Sequence, residues 1–145
     1  TVPIMGSPAA AHPALFGIVG PEAVEGLWVL DSGGIINPPA LPDDFPLKAA
    51  QLAFTDRYMA KFNQPPDFFA AYGADLVSVA VEALKQAGGA DDKAKVAEAL
   101  TNIKDFVALE GIMSFSPDDT SMGVKGQMVL FEIKGAQFNF VKVVN

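Results

Sequence analysis

The sequence predicts a mixed α/β fold, and three observations on its 145 residues carry that prediction. Val2–Met5 and Leu27–Leu30 are short apolar runs on either side of a helix-length segment, the spacing of a strand–helix–strand unit. Leu76, Val79, Ala80, Ala83, Leu84 and Ala87 recur three and four residues apart, which predicts one long helix with a single buried face. From Phe106 the apolar period changes, and Ile112–Phe115, Gln127–Ile133 and Gln137–Val143 read as strands.

In chain order, Val2–Met5 is a strand closed by Gly6-Ser7-Pro8. His12–Val19 follows as a short helix with Pro13 in its first turn and Gly20-Pro21 as its stop. Asp31–Pro46 holds two adjacent glycines, four prolines and Asp43-Asp44, a composition that opposes regular structure. It reads as a linker crossing between two packed bodies. Leu47–Phe62 is an amphipathic helix with Leu47, Ala50, Phe54, Tyr58 and Phe62 on one face and Gln51 off it. Asn63-Gln-Pro-Pro66 breaks that helix, and an aromatic stretch, Phe69-Ala-Ala-Tyr72, opens the long helix that Gly88-Gly89 ends. Asp91-Asp92 caps a helix over Lys93–Leu100, with Val96, Ala99 and Leu100 facing inward. Lys134-Gly135-Ala136 joins the last two strands as a hairpin.

Composition removes several classes of function. Half of the residues are hydrophobic, yet no run reaches the ~18–20 apolar residues of a membrane span. The apolar excess instead predicts surface that something else covers. The net charge of −7, without clustered lysine or arginine, argues against nucleic acid as a partner. With no cysteine and one histidine, neither thiolate chemistry nor a nitrogen-ligated metal centre is expected. Thr1-Val-Pro-Ile-Met shows neither the basic nor the apolar region of a targeting signal, as expected of a mature, trimmed or truncated chain.

Catalytic motifs fail in turn. Gly6-Ser7-Pro8 lacks the Gly-x-Ser-x-Gly pattern of a strained nucleophile turn, and Gly33-Gly34 is not a phosphate cradle. Glu110 with Asp118-Asp119 does not follow the alternating spacing of a calcium loop, so an exposed turn is expected there. Asp43-Asp44 and Asp91-Asp92 are adjacent pairs that hold no water or sugar between them. What remains are the parts of a binding cleft: strand ends, an aromatic helix start and a proline-rich crossover. Ligands of open α/β sheets sit beyond the carboxyl ends of strands, where helix N-termini offer free N–H groups.

Val2-Pro-Ile-Met-Gly6-Ser7, Glu25-Gly-Leu-Trp-Val29 and Tyr58-x-x-x-Phe62 occur in that order. Gln64-Pro-Pro-Asp67-x-x-Ala-Ala-Tyr72-Gly-Ala-Asp75, Ala87-Gly-Gly89 and Glu110-Gly-Ile-Met-Ser-Phe115 follow. This ordered set resembles the C-terminal part of type I periplasmic binding proteins, specifically the branched-chain amino-acid receptors that feed ABC transporters. The resemblance implies an incomplete chain: the C-terminal portion of a two-lobed fold with parallel sheets flanked by helices. In that frame residues 1–30 belong to the C-terminal lobe, 31–46 cross between lobes, 47–120 belong to the N-terminal lobe and 121–145 return. Asp31, Ser32 and Gly33 fall at the hinge.

By the same resemblance Phe69 packs an apolar side chain against the ligand, with Tyr72 one turn further along; a shifted register puts Phe68 there instead. Ser7, Pro8 and Ala9 form the facing loop. Amino-acid binders often carry an acid in that loop, whereas here Ser7-Pro-Ala-Ala-Ala11 has none before Glu22. An unpaired ammonium in a closed cleft costs several kcal/mol, so a carboxylate without an amino group is the expected ligand. The resemblance further implies a small-molecule ligand, an ABC membrane permease as partner, no cofactor and no enzymatic step. It implies a periplasmic location, or an extracellular, lipid-anchored one in a Gram-positive envelope. An isolated fragment is expected to self-associate or to pair with the missing N-terminal portion. A ligand-sensing domain of a membrane receptor, and an α/β enzyme with its catalytic residues elsewhere, are the alternative classes.

Overall fold

The computed structural model describes residues 4–121 and 128–144, so Val2, Pro3 and Gln127 of the expected strands lie outside the described residues. Strand β1 (Met5–Gly6) runs parallel to β2 (Trp28–Ser32), with Met5 opposite Trp28, and helix α1 (Ala14–Val19) lies between them in sequence. This is the expected order of strand, helix and strand with shifted bounds: Gly6 belongs to β1 rather than closing it, Ile4 lies outside it, α1 starts at Ala14 rather than His12, and β2 runs on to Ser32. On its other edge β2 pairs antiparallel with β5 (Met128–Lys134), which pairs antiparallel with β6 (Gln137–Val144). The sheet order is β1-β2-β5-β6, and among the described strands only β1 and β2 are parallel. Gly135 and Ala136, both at positive φ (60° and 57°), make the two-residue hairpin turn between β5 and β6.

Val29, Val129, Phe131 and Ile133 are fully buried and form the centre of this sheet's core. Leu15 and Phe16 of α1 pack on it, and the Phe16 ring lies 5.3 Å from that of Phe138. Burial of these side chains contributes about 1.5–3 kcal/mol each.

The segment Asp31–Pro46 is more ordered than its composition predicts. Asp31 and Ser32 belong to β2, opposite Val129 and Met128, and Pro38–Ala40 forms a 3-10 turn. Ile35, Leu41 and Phe45 are buried, Leu41 and Phe45 in the core of the sheet. The prolines end ladders and pre-set turns here, but the apolar residues between them hold the path of the chain.

A second body follows. Helix α2 (Lys48–Phe62) ends at Asn63, which takes the left-handed conformation. Helix α3 (Phe68–Ala87) starts at Asp67, whose carboxylate accepts the Ala70 N–H at 2.8 Å, and stops at Gly88 with φ 77°. Helix α4 (Lys93–Asn102) is capped by Asp92, which accepts N–H groups of Ala94 and Lys95. A short antiparallel pair, β3 (Phe106–Val107) and β4 (Ile112–Met113), completes it; β3 was not expected, and β4 is shorter than Ile112–Phe115. Val79, Ala83, Ala99, Ile103, Met113 and Phe115 make this body's core.

Three helix faces differ from the periodic reading. The buried residues of α3 are Ala71, Asp75, Val79 and Ala83, whereas Leu76 is 51% exposed and Ala80 is exposed. On α4 Leu100 is exposed while Ala99 faces inward. The only buried residue of α2 is the polar Gln51, while Phe62 is half exposed. On α3 and α4 the apolar stripe is broad and only one edge of it meets a neighbour among the described residues, whereas α2 turns its polar edge at Gln51 inward. Among those residues no helix is long and apolar enough to cross a membrane.

Candidate functional site

The two bodies meet at a junction built from β2's exit, α2, α3 and the loop between β3 and β4. The Gln51 side-chain amide donates to the carbonyl oxygens of Gly33 (2.6 Å) and Leu109 (2.7 Å). The Asp75 carboxylate accepts the N–H groups of Leu109 (2.8 Å) and Glu110 (3.0 Å). The backbone of this buried turn is thereby satisfied by side chains of two different helices. Gly33 has φ 68°, and a Cβ placed on it would stand 2.6 Å from the Leu109 oxygen. Only glycine lets the two segments cross this closely.

The same junction concentrates acids. Asp31 is fully buried, and its Oδ2 accepts the Ile36 N–H at 3.1 Å. Burial pushes its carboxyl up to about 7. Glu110 is pushed up to about 8 by burial and by the neighbouring charges of Asp75 and Asp31. Burial also raises Asp75, although its two N–H bonds oppose the shift. Asp31 Oδ1, Gln51 Oε1 and Glu110 Oε1 are buried without a hydrogen-bond partner among the described residues.

A second contact between the bodies lies at the start of α3. His12 Nε2 is 2.8 Å from Asp67 Oδ2, the carboxylate that also caps α3. His12 Nδ1 accepts the Ala14 N–H at 2.9 Å, so the proton of the neutral ring is on Nε2 and points at Asp67. A cleft of about 230 Å³ surrounds the pair, lined by Pro13 and Ala14 on one side and Tyr58, Gln64 and Pro65 on the other.

The expected site residues are placed as follows. Ser7 and Ala9 are exposed and Pro8 half-buried, in a 3-10 turn (Pro8–Ala10) directly after β1. Phe69 is 61% exposed and Tyr72 38%, on the first turns of α3. Phe68 contacts both aromatic neighbours, with ring centroids 5.3 Å from Phe69 and 6.0 Å from Tyr72. None of the five expected ligand-binding residues lines the His12–Asp67 cleft, although both flanking segments border it. Of the expected hinge residues, Asp31 and Gly33 sit in the buried junction and Ser32 is half-buried on β2. A larger apolar groove of about 760 Å³ runs between α2 and α3, floored by Phe54, Tyr58, Ala74 and Phe106.

Sequence reasoning missed His12 and Asp67 as partners and gave Gln51 no role. A signal existed for the junction: Asp75 falls four residues from both Ala71 and Val79, an acid on a buried helical row. Asp118 and Asp119 do form an exposed turn, with Asp119 holding the Ser121 N–H and hydroxyl.

The profile of the family described as periplasmic binding protein matches residues 10–137. Among solved structures, a leucine binding protein, LivK, from Thermotoga maritima is 27% identical with a TM-score of 0.76 over 100% of this chain and 38% of its own. An extracellular ligand-binding receptor from Rhodopseudomonas palustris HaA2 superposes with a TM-score of 0.85 at 22% identity, covering 98% of this chain and 41% of the receptor. The branched-chain amino acid transporter substrate binding protein LivJ from Streptococcus pneumoniae, in complex with isoleucine, gives 0.76 at 23% identity, covering 99% and 37%. At those identities the latter two show the fold alone. This chain therefore spans about two fifths of the length of these structures. No curated protein sequence matches it significantly.

Proposed function

This chain belongs to the periplasmic binding protein family, and we propose from that membership that it is part of the solute-capture component of an ABC importer. A small molecule is held between two lobes that close by hinge motion, and no bond is made or broken. The captured solute is handed to a membrane permease, and the protein works in the periplasm or at the outer face of the cell. The observation that carries the reading is the join between the two cores, where Gly33 crosses Leu109 closely and Ile35, Ala71 and Leu109 form a small buried cluster, beside a cleft at the start of α3.

In this reading residues 1–30 and 121–145 serve the C-terminal lobe, residues 47–120 the N-terminal lobe, and residues 31–46 cross between them. Asp31, Ser32 and Gly33 take up the hinge rotation. Phe69 and Tyr72 supply apolar packing to the ligand, and Ser7, Pro8 and Ala9 supply the facing loop with its backbone N–H groups. The turn Ser7–Ala11 offers no acid to a ligand ammonium, which favours an aliphatic or aromatic carboxylate without an amino group over an amino acid.

Calorimetry on the intact receptor tests this directly. Branched aliphatic and aromatic carboxylates should release heat on binding while leucine and valine stay silent. Tight leucine or valine binding would return the ligand to the amino acids.

A further inference from the structure

We propose that His12 and Asp67 form a latch between the two lobes that favours the closed receptor and so sets its affinity. The inference rests on the solute-capture reading above. His12 precedes α1, which packs on the core of the four-stranded sheet through Leu15 and Phe16. Asp67 caps α3, which is built into the other core through Val79 and Ala83. The 2.8 Å contact therefore ties one core to the other through side chains alone.

Its position gives it leverage. Asp75 fixes α3 to the junction through Leu109 and Glu110, Ala71 packs there on Ile35 and Leu109, and Asp67 caps the same helix four residues before Ala71 and eight before Asp75. At ~1.5 Å per residue the latch stands about 6–12 Å beyond those anchors. A rotation of the bodies about the junction parts His12 from Asp67, so the pair exists only when the bodies are close.

The two residues are prepared for the contact at no cost to their own elements. Asp67 divides its carboxylate, Oδ1 accepting the Ala70 N–H and Oδ2 facing His12. The Ala14 N–H on Nδ1 fixes the His12 tautomer and aims Nε2–H outward. Side-chain exposures of 42% and 22% leave the pair partly desolvated, where a hydrogen bond to a carboxylate outweighs its exposed counterpart. His12 and Asp67 are thus positioning residues, acting on the ligand through closure rather than contact.

The test uses the intact receptor with spin labels at Ile18→Cys on α1 and Lys93→Cys on α4, any cysteine in the rest of the receptor being replaced by serine; these 145 residues hold none. Pulsed dipolar distances without solute report the ratio of closed to open forms. Asp67→Asn keeps a capping oxygen for α3 and leaves the His12–Ala14 bond untouched, but turns an N–H toward Nε2–H. It should lower the closed-to-open ratio about 3- to 10-fold, the value of one such hydrogen bond. His12→Ala should do the same, the double variant should be no worse than either single one, and His12→Gln, which keeps an N–H donor, should restore most of the ratio. Unchanged distances in both Asp67→Asn and His12→Ala overturn the latch. Adding leucine, isoleucine, 4-methylpentanoate and benzoate in turn separates the two claims. If none of them shortens the wild-type distance while the variants still shift, the solute-capture reading fails and the latch stands. If the wild type closes on one of them and the variants close identically, the latch fails and the reading stands.

Discussion

Gln51 donates its side-chain amide to the carbonyl oxygen of Leu109, a residue 58 positions later, and so ties the first turn of α2 to the loop between β3 and β4. Because the same amide also holds the Gly33 carbonyl, one fully buried side chain joins three segments. Gln51→Leu fills similar space but leaves two buried carbonyls unpaired. It should lower the unfolding free energy by about 1–3 kcal/mol, measured by urea denaturation. An unchanged midpoint would mean water or another donor replaces the amide.

Gly33→Ala should be more damaging than its size suggests. The added methyl would meet the Leu109 oxygen at 2.6 Å and the Glu110 Cα at 2.8 Å, on a backbone with φ 68°. A loss of about 2 kcal/mol or more is expected. Gly73→Ala is the control: it lies inside α3 with nothing within 4 Å of where the new methyl would stand and no positive φ, so it should stabilise by about 0.5–1 kcal/mol. Equal effects of the two substitutions would contradict the tight crossing.

The acids at the junction predict an inverted pH dependence. Glu110 holds its proton to about pH 8 in the folded chain against an ordinary 4.5, and Asp31 to about 7 against 3.8. Between those values the folded state binds protons that the unfolded state has released. Stability therefore falls as pH rises from about 4 to 8 and levels off above, the reverse of a salt-bridged carboxylate. The cluster titrates as a unit, with Asp75 held as an acceptor by two N–H groups. The unfolding free energy from urea denaturation should drop between pH 5 and pH 8 by an amount on the order of 2 kcal/mol. Glu110→Gln should reduce that slope and leave the part that Asp31 contributes below about pH 7; a slope unchanged by it would place the titration elsewhere.

Much of the fold was legible from local chemistry. The order strand–helix–strand at the start, the caps at Asp92 and Gly88 and the final hairpin follow from spacing, side-chain oxygens and turn residues, although β1 and α1 begin later than their apolar runs suggest. The order within Asp31–Pro46 was not legible, because prolines and glycines there mark turns without revealing that Ile35, Leu41 and Phe45 are buried between them. Period alone also misjudged α3: Leu76 is as apolar as Val79, and only the position of neighbouring elements decides which is covered. The polar junction was the hardest part. Gln51 reads as a surface residue until Gly33 and Leu109, distant in sequence, are brought to it by the fold. As the one histidine, His12 is too little for a metal centre or a triad, and nothing local reveals that its neighbour is the cap of a helix more than fifty residues away.

Small-angle X-ray scattering of the intact receptor, with and without the solute that calorimetry identifies, tests the central claim most directly. Two lobes hinged at the Gly33–Leu109 crossing should draw together on binding, and the radius of gyration should fall. A binding solute that leaves the radius unchanged would contradict closure about this junction.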